Sequence, residues 1–157
     1  MSQEEKFRSE IEEGYSFKGD SITLGAAMLE GKALTGAYVK VPLKTMNRHG
    51  LIAGATGTGK TKSLQVLAEN LSQQGVPVLL MDLKGDLSGL AQPSPGHPKI
   101  DDRHQQIGLP FQPQAFPLEI LTLSEQGGVR LRATVSEFGP VLLSRILDIS
   151  DNKAGIL

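Results

Sequence analysis

The chain has 157 residues, a net charge of −1 at pH 7 and no cysteine, which excludes disulfides and thiolate metal sites. This length is that of one ordinary domain, and the near-zero charge gives no global sign of a nucleic-acid binder. No apolar run approaches the roughly 20 residues of a bilayer crossing, and the acidic N-terminal residues carry no secretory signal. We therefore expect a soluble, cytoplasmic protein that does not act in a membrane.

The chain opens with a predicted short helix. Ser2 and Glu5 fit a capping box, because each side chain can accept a hydrogen bond from the other residue's backbone N–H. Phe7 and Ile11 lie four apart on one face, and Gly14 ends the segment. Most of the remaining positions are charged, so we expect a largely solvated helix. It belongs to a lead-in that we place at residues 1–45.

The rest of that lead-in predicts a small β segment. Turn-forming residues at 18–20 and 29–32 flank a strand over Ser21–Leu24, and a second strand is predicted over Tyr38–Leu43. Three polar residues fit either a ligand contact or the exposed positions of an edge strand, and the second interpretation is simpler. They are Tyr38, Lys40 and Lys44.

Residues Gly54–Thr61 match the phosphate-binding loop pattern G-x-x-x-x-G-K-[ST] at every fixed position. Three glycines in this segment let a backbone turn its N–H groups inward around phosphates. Lys60 supplies a charge for the β- and γ-phosphates and is the candidate catalytic residue, and the Thr61 hydroxyl is placed to bind Mg²⁺. The predicted nucleotide-binding residues are Gly54, Ala55, Thr56, Gly57, Thr58, Gly59, Lys60 and Thr61.

The segments around this loop predict a βαβ unit. Leu51–Ala53 is a strand that enters the loop, and Lys60–Gln74 is a helix with apolar residues at helical spacing, which ends before Gly75. Val76–Asp82 is a continuous apolar run, typical of a parallel strand covered on both faces. These elements predict an α/β P-loop fold with a mainly parallel sheet over 46–157. Asp82 should then emerge at the same sheet edge as Lys60.

The stretch 84–115 is predicted to be an irregular insertion. Five of the nine prolines of the chain fall between Pro93 and Pro113, so regular structure there is short. A helix of two turns is predicted at Asp101–Gly108. His97 and His104 have neither a cysteine nor a third ligand near them in sequence, so we do not expect a metal site.

The last part of the chain predicts another strand over Phe116–Leu123, a turn at 125–128 and a hairpin partner over Val129–Val135. Pro140 fits the first turn of a helix that runs to about Ile149 and is apolar on more than one stripe, so it should be buried or held against another surface. Three arginines fit contacts to nucleic-acid phosphates or to a neighbouring subunit, but a solvated position explains them as well. They are Arg130 and Arg132 on the strand and Arg145 on the helix.

Three segments together resemble the opening of a HerA-like ATPase, a family related to the FtsK-type DNA pumps. They are Ile22–Gly25, Val39–Leu43, and the run Asn47-Arg48-His49-Gly50 that leads into the phosphate loop and ends at Thr61. The resemblance implies a RecA-like core, Mg-ATP as ligand, a homohexamer, and double-stranded DNA as the track. It covers essentially the whole chain but only the N-terminal part of such an ATPase. The chain also stops at 152–157 where another helix is expected to begin, so we expect a fragment.

The same resemblance leaves Asp82 open between two roles. Asp82–Asp86 is similar to the Asp-x-Lys-Gly-acidic loop of HerA-like ATPases, whose metal-ordering Asp and catalytic Glu lie on a later strand. No apolar run ending in Asp-Glu occurs in this chain, and neither Glu137 nor Asp148 has that context. Asp82 is therefore either a residue close to the nucleotide and Mg²⁺ or a structural carboxylate of its loop.

Two other functions fit the phosphate loop. A small kinase would use the insertion at 84–115 as a lid, whereas a partition-type ATPase is disfavoured because Ala55 and Thr56 stand where that class has an early lysine. The second function is that of a truncated module that binds a nucleotide without hydrolysing it. This interpretation rests on the missing catalytic acid. Phosphate transfer to an acceptor would favour a kinase, and binding without turnover would favour the module.

Overall fold

The computed structural model describes residues 1–125 and 127–148 as an α/β chain with two small sheets. The chain divides into two compact units, one up to Leu118 and one from Glu119 onward. The helices and strands are α1 (Gln3–Gly14), β1 (Ser21–Leu29), β2 (Lys32–Pro42), α2 (Lys60–Gln73), α3 (Pro98–Ile107), β3 (Leu121–Thr122), β4 (Val129–Arg130) and α4 (Val135–Ile146).

Helix α1 begins with the predicted capping box. The Ser2 N–H donates to the Glu5 carboxylate at 2.6 Å, and the Glu5 N–H donates to the Ser2 hydroxyl at 3.2 Å. One face of α1 packs against the sheet, and the Arg8 guanidinium donates to the Thr35 carbonyl on β2 at 2.7 Å. The N-terminal helix is confirmed with its predicted cap and its end at Gly14.

Strands β1 and β2 form an antiparallel hairpin that is longer than the two strands predicted from the sequence. Glu30 and Gly31 connect them, with φ angles of 49° and 78°. Two consecutive residues with positive φ form the tight turn whose twist matches that of a hairpin. This turn brings the strands into register up to Leu29 and Lys32, so pairing extends beyond the predicted ends.

The core of the first unit lies between this hairpin and α1. Its buried residues are Ala27, Leu34 and Ala37, and Phe7, Ile11 and Leu29 pack against them. Small side chains on the strands leave room for the helix to approach closely. Ile22 on β1 is 2% exposed and is the largest fully buried side chain among the described residues.

Replacing Ile22 by alanine is expected to lower the free energy of unfolding by about 2–5 kcal/mol, because a buried side chain is lost and a cavity remains. Leu24→Ala is the matched control, since Leu24 lies two residues along the same strand and is exposed. That control should stay within about 0.5 kcal/mol of the unchanged protein. Urea unfolding of both variants measures the difference, and equal losses would contradict the position of the core.

Helix α2 has the predicted start at Lys60 and ends at Gln73, one residue before the prediction. Gly75 follows with a φ of 73°, in the left-handed region. The Val76 N–H donates to the Leu71 carbonyl at 3.0 Å, and the Gly75 N–H donates to the Ser72 carbonyl at 2.9 Å. These two bonds satisfy helix carbonyls in the Schellman arrangement, so Gly75 ends the helix as expected.

The predicted parallel sheet is not found in the described part of the chain. Residues 51–53 and 76–82 have no regular secondary structure and make no strand pair, and Leu51, Leu79 and Met81 are 89%, 81% and 89% exposed. A strand exists only where a neighbour completes its ladder of hydrogen bonds, and neither segment has one here. The apolar pattern thus identified two segments whose composition suits a sheet. Composition does not determine whether another segment lies beside them and pairs with them.

The insertion at 84–115 contains a short 3₁₀ turn over Ser88–Ala91 and helix α3. Helix α3 begins three residues before the prediction because Pro98 occupies its first turn and the His97 ring accepts from the Lys99 N–H at 3.1 Å. Its C-terminal end is held by β2. The Thr35 hydroxyl donates to the Gln106 carbonyl at 2.9 Å and the Tyr38 hydroxyl to the Gly108 carbonyl at 3.0 Å.

In the second unit, β3 and β4 pair in parallel, so the predicted hairpin is wrong. The Val129 N–H donates to the Ile120 carbonyl at 2.7 Å and the Leu131 N–H to the Thr122 carbonyl at 2.8 Å. Gly128 permits this return of the chain, because a Cβ at that position would lie 2.7 Å from the Ile120 carbonyl oxygen. The glycine thus allows the backbones at Gly128 and Ile120 to lie close together, whereas the sequence predicted that the glycines form a hairpin turn.

Helix α4 begins at Val135, earlier than predicted, and is interrupted at Gly139, whose φ of 64° and ψ of 168° are not helical. Its second piece starts at Pro140 as expected. The Thr134 N–H donates to the Glu137 carboxylate at 2.7 Å, which caps the first piece. No described residue of α4 is buried, so burial within this chain is wrong, and packing against another surface stays a prediction. The predicted helix end at Ile149 and the segment 152–157 lie outside the described residues.

Candidate functional site

The phosphate-loop segment has the backbone geometry that its glycines predicted. Gly57 and Gly59 have φ angles of 82° and 96°, in the left-handed region where other residues are strained. The Thr58 N–H points back to the Ala55 carbonyl at 3.4 Å, and α2 begins at Lys60. A compact, solvent-exposed turn therefore leads directly into the N-terminus of a helix.

Gly54 is required for the close packing of this turn. A Cβ at Gly54 would lie 2.5 Å from the Thr58 hydroxyl oxygen, closer than real Cβ contacts. That hydroxyl donates to the Ala55 carbonyl at 2.8 Å. The Thr58 side chain thus closes the loop and occupies the space that the Cβ of any other residue at position 54 would need.

The Lys60 ammonium lies across the loop and donates to the Ala55 carbonyl at 2.7 Å. Its partner is a neutral carbonyl, so the positive charge is held over the loop without being neutralised by a carboxylate. Thr61 follows in the first turn of α2 and is exposed. The structure therefore brings together, in one exposed turn, a lysine charge, a threonine hydroxyl and the free N–H groups of a helix N-terminus.

Asp82 organises the loop that follows the second predicted strand. One carboxylate oxygen accepts the N–H groups of Lys84, Gly85 and Asp86 at 3.1, 2.8 and 3.3 Å, and the other accepts the Leu87 N–H at 2.9 Å. The Leu87 N–H bond is the main reason that the pKa of Asp82 lies below its ordinary value, with the other three adding to it and desolvation opposing them. This geometry favours the loop-carboxylate interpretation of Asp82.

Asp82→Asn is expected to loosen this loop, because asparagine has one acceptor oxygen and would turn an N–H₂ group towards N–H donors. The amides of residues 84–87 should exchange with solvent several-fold faster in the variant. Since folding lowers the pKa of Asp82, its stabilisation is present above the ordinary pKa of an aspartate and is lost as the pH falls through the lowered value.

Amide exchange measured by NMR, repeated across acidic pH, tests this expectation. Asp102→Asn is the matched control, because Asp102 is exposed on α3. Unchanged exchange at 84–87 in Asp82→Asn would contradict the role of the carboxylate.

Gln65 is the residue that the sequence analysis missed. It is the buried polar residue of the described chain, 8% exposed, on the same face of α2 as the buried Ala68 and Leu71. Its amide N–H donates to the Asp86 carbonyl at 3.1 Å, and its amide oxygen accepts from the Lys62 ammonium at 2.9 Å. The spacing of Gln65, Ala68 and Leu71 at intervals of three could have indicated that Gln65 is buried. The buried face of the helix was instead predicted from its apolar residues, and Gln65 is polar.

Burial also acts on Glu69 of the same helix. Desolvation raises the pKa of its carboxyl, and the Lys62 charge nearby lowers it in part. Glu137 shows the opposite direction, because the Thr134 backbone N–H, followed by the Thr134 hydroxyl, donates to it and lowers its pKa. The Glu137 carboxylate thus caps the first piece of α4.

Two of the three histidines make local hydrogen-bond contacts. His49 is exposed, His97 caps α3, and Nδ1 of His104 is 2.9 Å from the Leu109 carbonyl oxygen. Among the residues that the structure describes, no three His, Cys, Asp or Glu side chains are grouped to hold a metal ion. Arg130, Arg132 and Arg145 are exposed. In the described ranges, no helix combines the length and apolar character needed to cross a membrane.

Comparison with known proteins gives one match. A family model described as "Helicase HerA-like C-terminal" matches residues 28–157, which include the whole phosphate loop. No curated protein and no solved structure matches the chain significantly. The matched region carries the name of a C-terminal part, whereas the sequence analysis compared the chain with the N-terminal part of such an ATPase. The phosphate loop therefore belongs to the region that the family describes as C-terminal.

Proposed function

Since this chain belongs to the Helicase HerA-like C-terminal family, we propose that it is the ATP-binding portion of a HerA-like P-loop ATPase. The observation that carries the proposal is the Gly54–Thr61 turn, with its left-handed glycines and a lysine ammonium held over it. A flexible glycine-rich surface turn with no ligand would not need Thr58 packed against Gly54.

In this role the backbone N–H groups of the turn and the N-terminus of α2 bind the phosphates of ATP. Lys60 leaves the Ala55 carbonyl to contact the β- and γ-phosphates and stabilises the charge that develops on the γ-phosphate during transfer. The Thr61 hydroxyl would hold Mg²⁺, which would neutralise part of the phosphate charge. Asp82 lies at the end of the second predicted strand and would be a further candidate to hold the metal through Oδ2, which accepts one N–H group, whereas Oδ1 accepts three.

A RecA-like core with a mainly parallel sheet is part of the proposal. The segments at 51–53 and 76–82 are apolar and expose Leu51, Leu79 and Met81. Such residues are covered on both faces in a parallel sheet, which supports these segments as strands that pair in a complete ATPase. In that form we expect a homohexamer that moves along double-stranded DNA, an expectation that rests on the family.

Hydrolysis requires an acid that positions the attacking water, and two carboxylates considered for it form other hydrogen bonds. Asp82 closes its own loop and Glu137 caps α4. We therefore expect this chain to bind Mg-ATP weakly and to hydrolyse it slowly. The same observation favours a second candidate function, a module that binds nucleotide without turning it over. A small kinase remains the alternative enzyme, and phosphate transfer from ATP to a nucleoside or a shikimate-like acceptor would identify it.

Thermal unfolding with and without Mg-ATP tests the proposal. A ligand that binds only the folded state stabilises it, by about 2.7 kcal/mol at a ligand concentration 100 times Kd. An unchanged unfolding temperature at millimolar Mg-ATP would remove both the ATPase and the binding module. Phosphate release separates these two functions. Turnover at the rate of a motor, abolished by Lys60→Ala, would contradict the expectation of slow hydrolysis.

A further inference from the structure

Gln65 connects two parts of the candidate site that are 21 residues apart in sequence. It lies in the first half of α2, which begins at Lys60, and its amide reaches the carbonyl of Asp86 in the loop that Asp82 closes. Leaving one end of a buried amide without a hydrogen bond lowers the stability of the fold by about 1–3 kcal/mol. The two hydrogen bonds of the Gln65 amide therefore define its position. Lys62 fills the other end from the same helix at 2.9 Å.

The loop that Gln65 contacts, residues 82–87, is held together by one carboxylate. Four consecutive N–H groups point to the Asp82 carboxylate, so the Asp86 carbonyl has a defined position relative to that carboxylate. Leu87, the next residue, is buried and anchors the end of the loop. A displacement of the Asp86 carbonyl therefore moves the group of N–H donors and the carboxylate together.

The other end of the connection is the phosphate loop. Gln65 lies four residues after Thr61, which places both on the same side of α2, one turn apart. The helix between them has no break, so a ligand that draws Lys60 and Thr61 towards it moves Gln65 with the first turns of the helix.

We propose that Gln65 is a positioning residue that couples occupancy of the phosphate loop to the loop Asp82–Leu87. This inference rests on the proposed nucleotide binding at Gly54–Thr61. It adds that binding there changes the conformation of the loop Asp82–Leu87. What changes is the orientation of the Asp82 carboxylate and of the exposed side chains of Lys84 and Asp86.

Amide hydrogen exchange of residues 84–87, with and without Mg²⁺ and a non-hydrolysable ATP analogue, tests the coupling. In the unchanged protein the analogue should slow exchange at these amides several-fold. Gln65→Leu keeps the volume and removes both hydrogen bonds. It should exchange about 5- to 10-fold faster at residues 84–87, which corresponds to one hydrogen bond, and should lose the response to the analogue. Its affinity for the analogue should stay within about threefold, since Gln65 lies outside the phosphate-loop motif.

Two further variants separate coupling from packing. Gln65→Glu retains the oxygen that faces Lys62 but cannot donate to the Asp86 carbonyl, so it should also lose the response. Gln73→Leu makes the same chemical change at an exposed position of α2 and should behave as the unchanged protein.

Binding of the analogue with an undiminished response in both Gln65 variants would overturn the coupling and leave the proposed function intact. Failure of the unchanged protein to bind the analogue at all would overturn both.

Discussion

Lys60→Ala is expected to weaken binding of Mg-ATP by about 10- to 100-fold, because a hydrogen bond to a charged group contributes about 1.5–3 kcal/mol. In the free protein the ammonium donates to the Ala55 carbonyl at 2.7 Å, so it is already held over the turn where the phosphates would lie. Little reorganisation is needed for it to exchange this neutral acceptor for a phosphate oxygen. Isothermal titration with Mg-ATP measures the change directly.

Lys32→Ala is the matched control for this experiment. Lys32 is an exposed lysine at the start of β2, in the hairpin and not in the phosphate loop. Removing its charge should leave the affinity for Mg-ATP within about twofold, because Lys32 is outside the phosphate-loop motif and the field of an exposed charge is screened by salt. Equal losses in both variants would mean that net charge alone attracts the nucleotide, and the assignment of Lys60 would fail.

Gly54→Ala is expected to weaken Mg-ATP binding by about 5- to 100-fold, although it adds only one methyl group. The new Cβ would lie 2.5 Å from the Thr58 hydroxyl oxygen, which must move and give up its bond to the Ala55 carbonyl. Overpacking of this kind costs about 1–3 kcal/mol, and here the strain falls on the turn that we propose to bind the phosphates. Mg-ATP titration gives the affinity, and circular dichroism shows whether the fold is retained.

Gly50→Ala provides the comparison, because a Cβ at Gly50 would meet no atom within 4 Å. That variant should bind Mg-ATP as tightly as the unchanged protein. If Gly54→Ala also binds normally, then the packing of Thr58 against Gly54 is not part of the binding geometry, and the match to the phosphate-loop pattern loses its structural support.

The carboxylates illustrate how residue type and local geometry lead to different conclusions. From sequence, Asp82 fits a metal ligand because it follows an apolar run at the expected sheet edge. In the structure both its oxygens accept backbone N–H groups of the next few residues. An aspartate followed by Leu-Lys-Gly-Asp has enough conformational freedom to form such a loop, which needs no metal.

The features predicted well from sequence depend on contacts between near neighbours in the chain. The capping box of Ser2 and Glu5, the helix end at Gly75 and the turn at Gly54–Thr61 are each closed by hydrogen bonds spanning five residues or fewer. Their chemistry is present in the local sequence, since side-chain caps and left-handed glycines act within one turn of backbone. The family resemblance rests on the Gly54–Thr61 turn together with the segments Ile22–Gly25, Val39–Leu43 and Asn47–Gly50, and it is confirmed by the matching family model.

What the sequence left undetermined depends on partners far along the chain. Whether 51–53 and 76–82 are strands, and whether β3 and β4 pair in parallel, depends on which segments lie alongside them, because a strand is completed by its neighbour's hydrogen bonds. The bond from Gln65 to Asp86 joins residues 21 apart, and the bond from Tyr38 to Gly108 joins residues 70 apart. The sequence by itself determined the turn that is suited to phosphates. Only tertiary structure decided which loop its helix contacts, because that contact forms between segments that local preferences do not bring together.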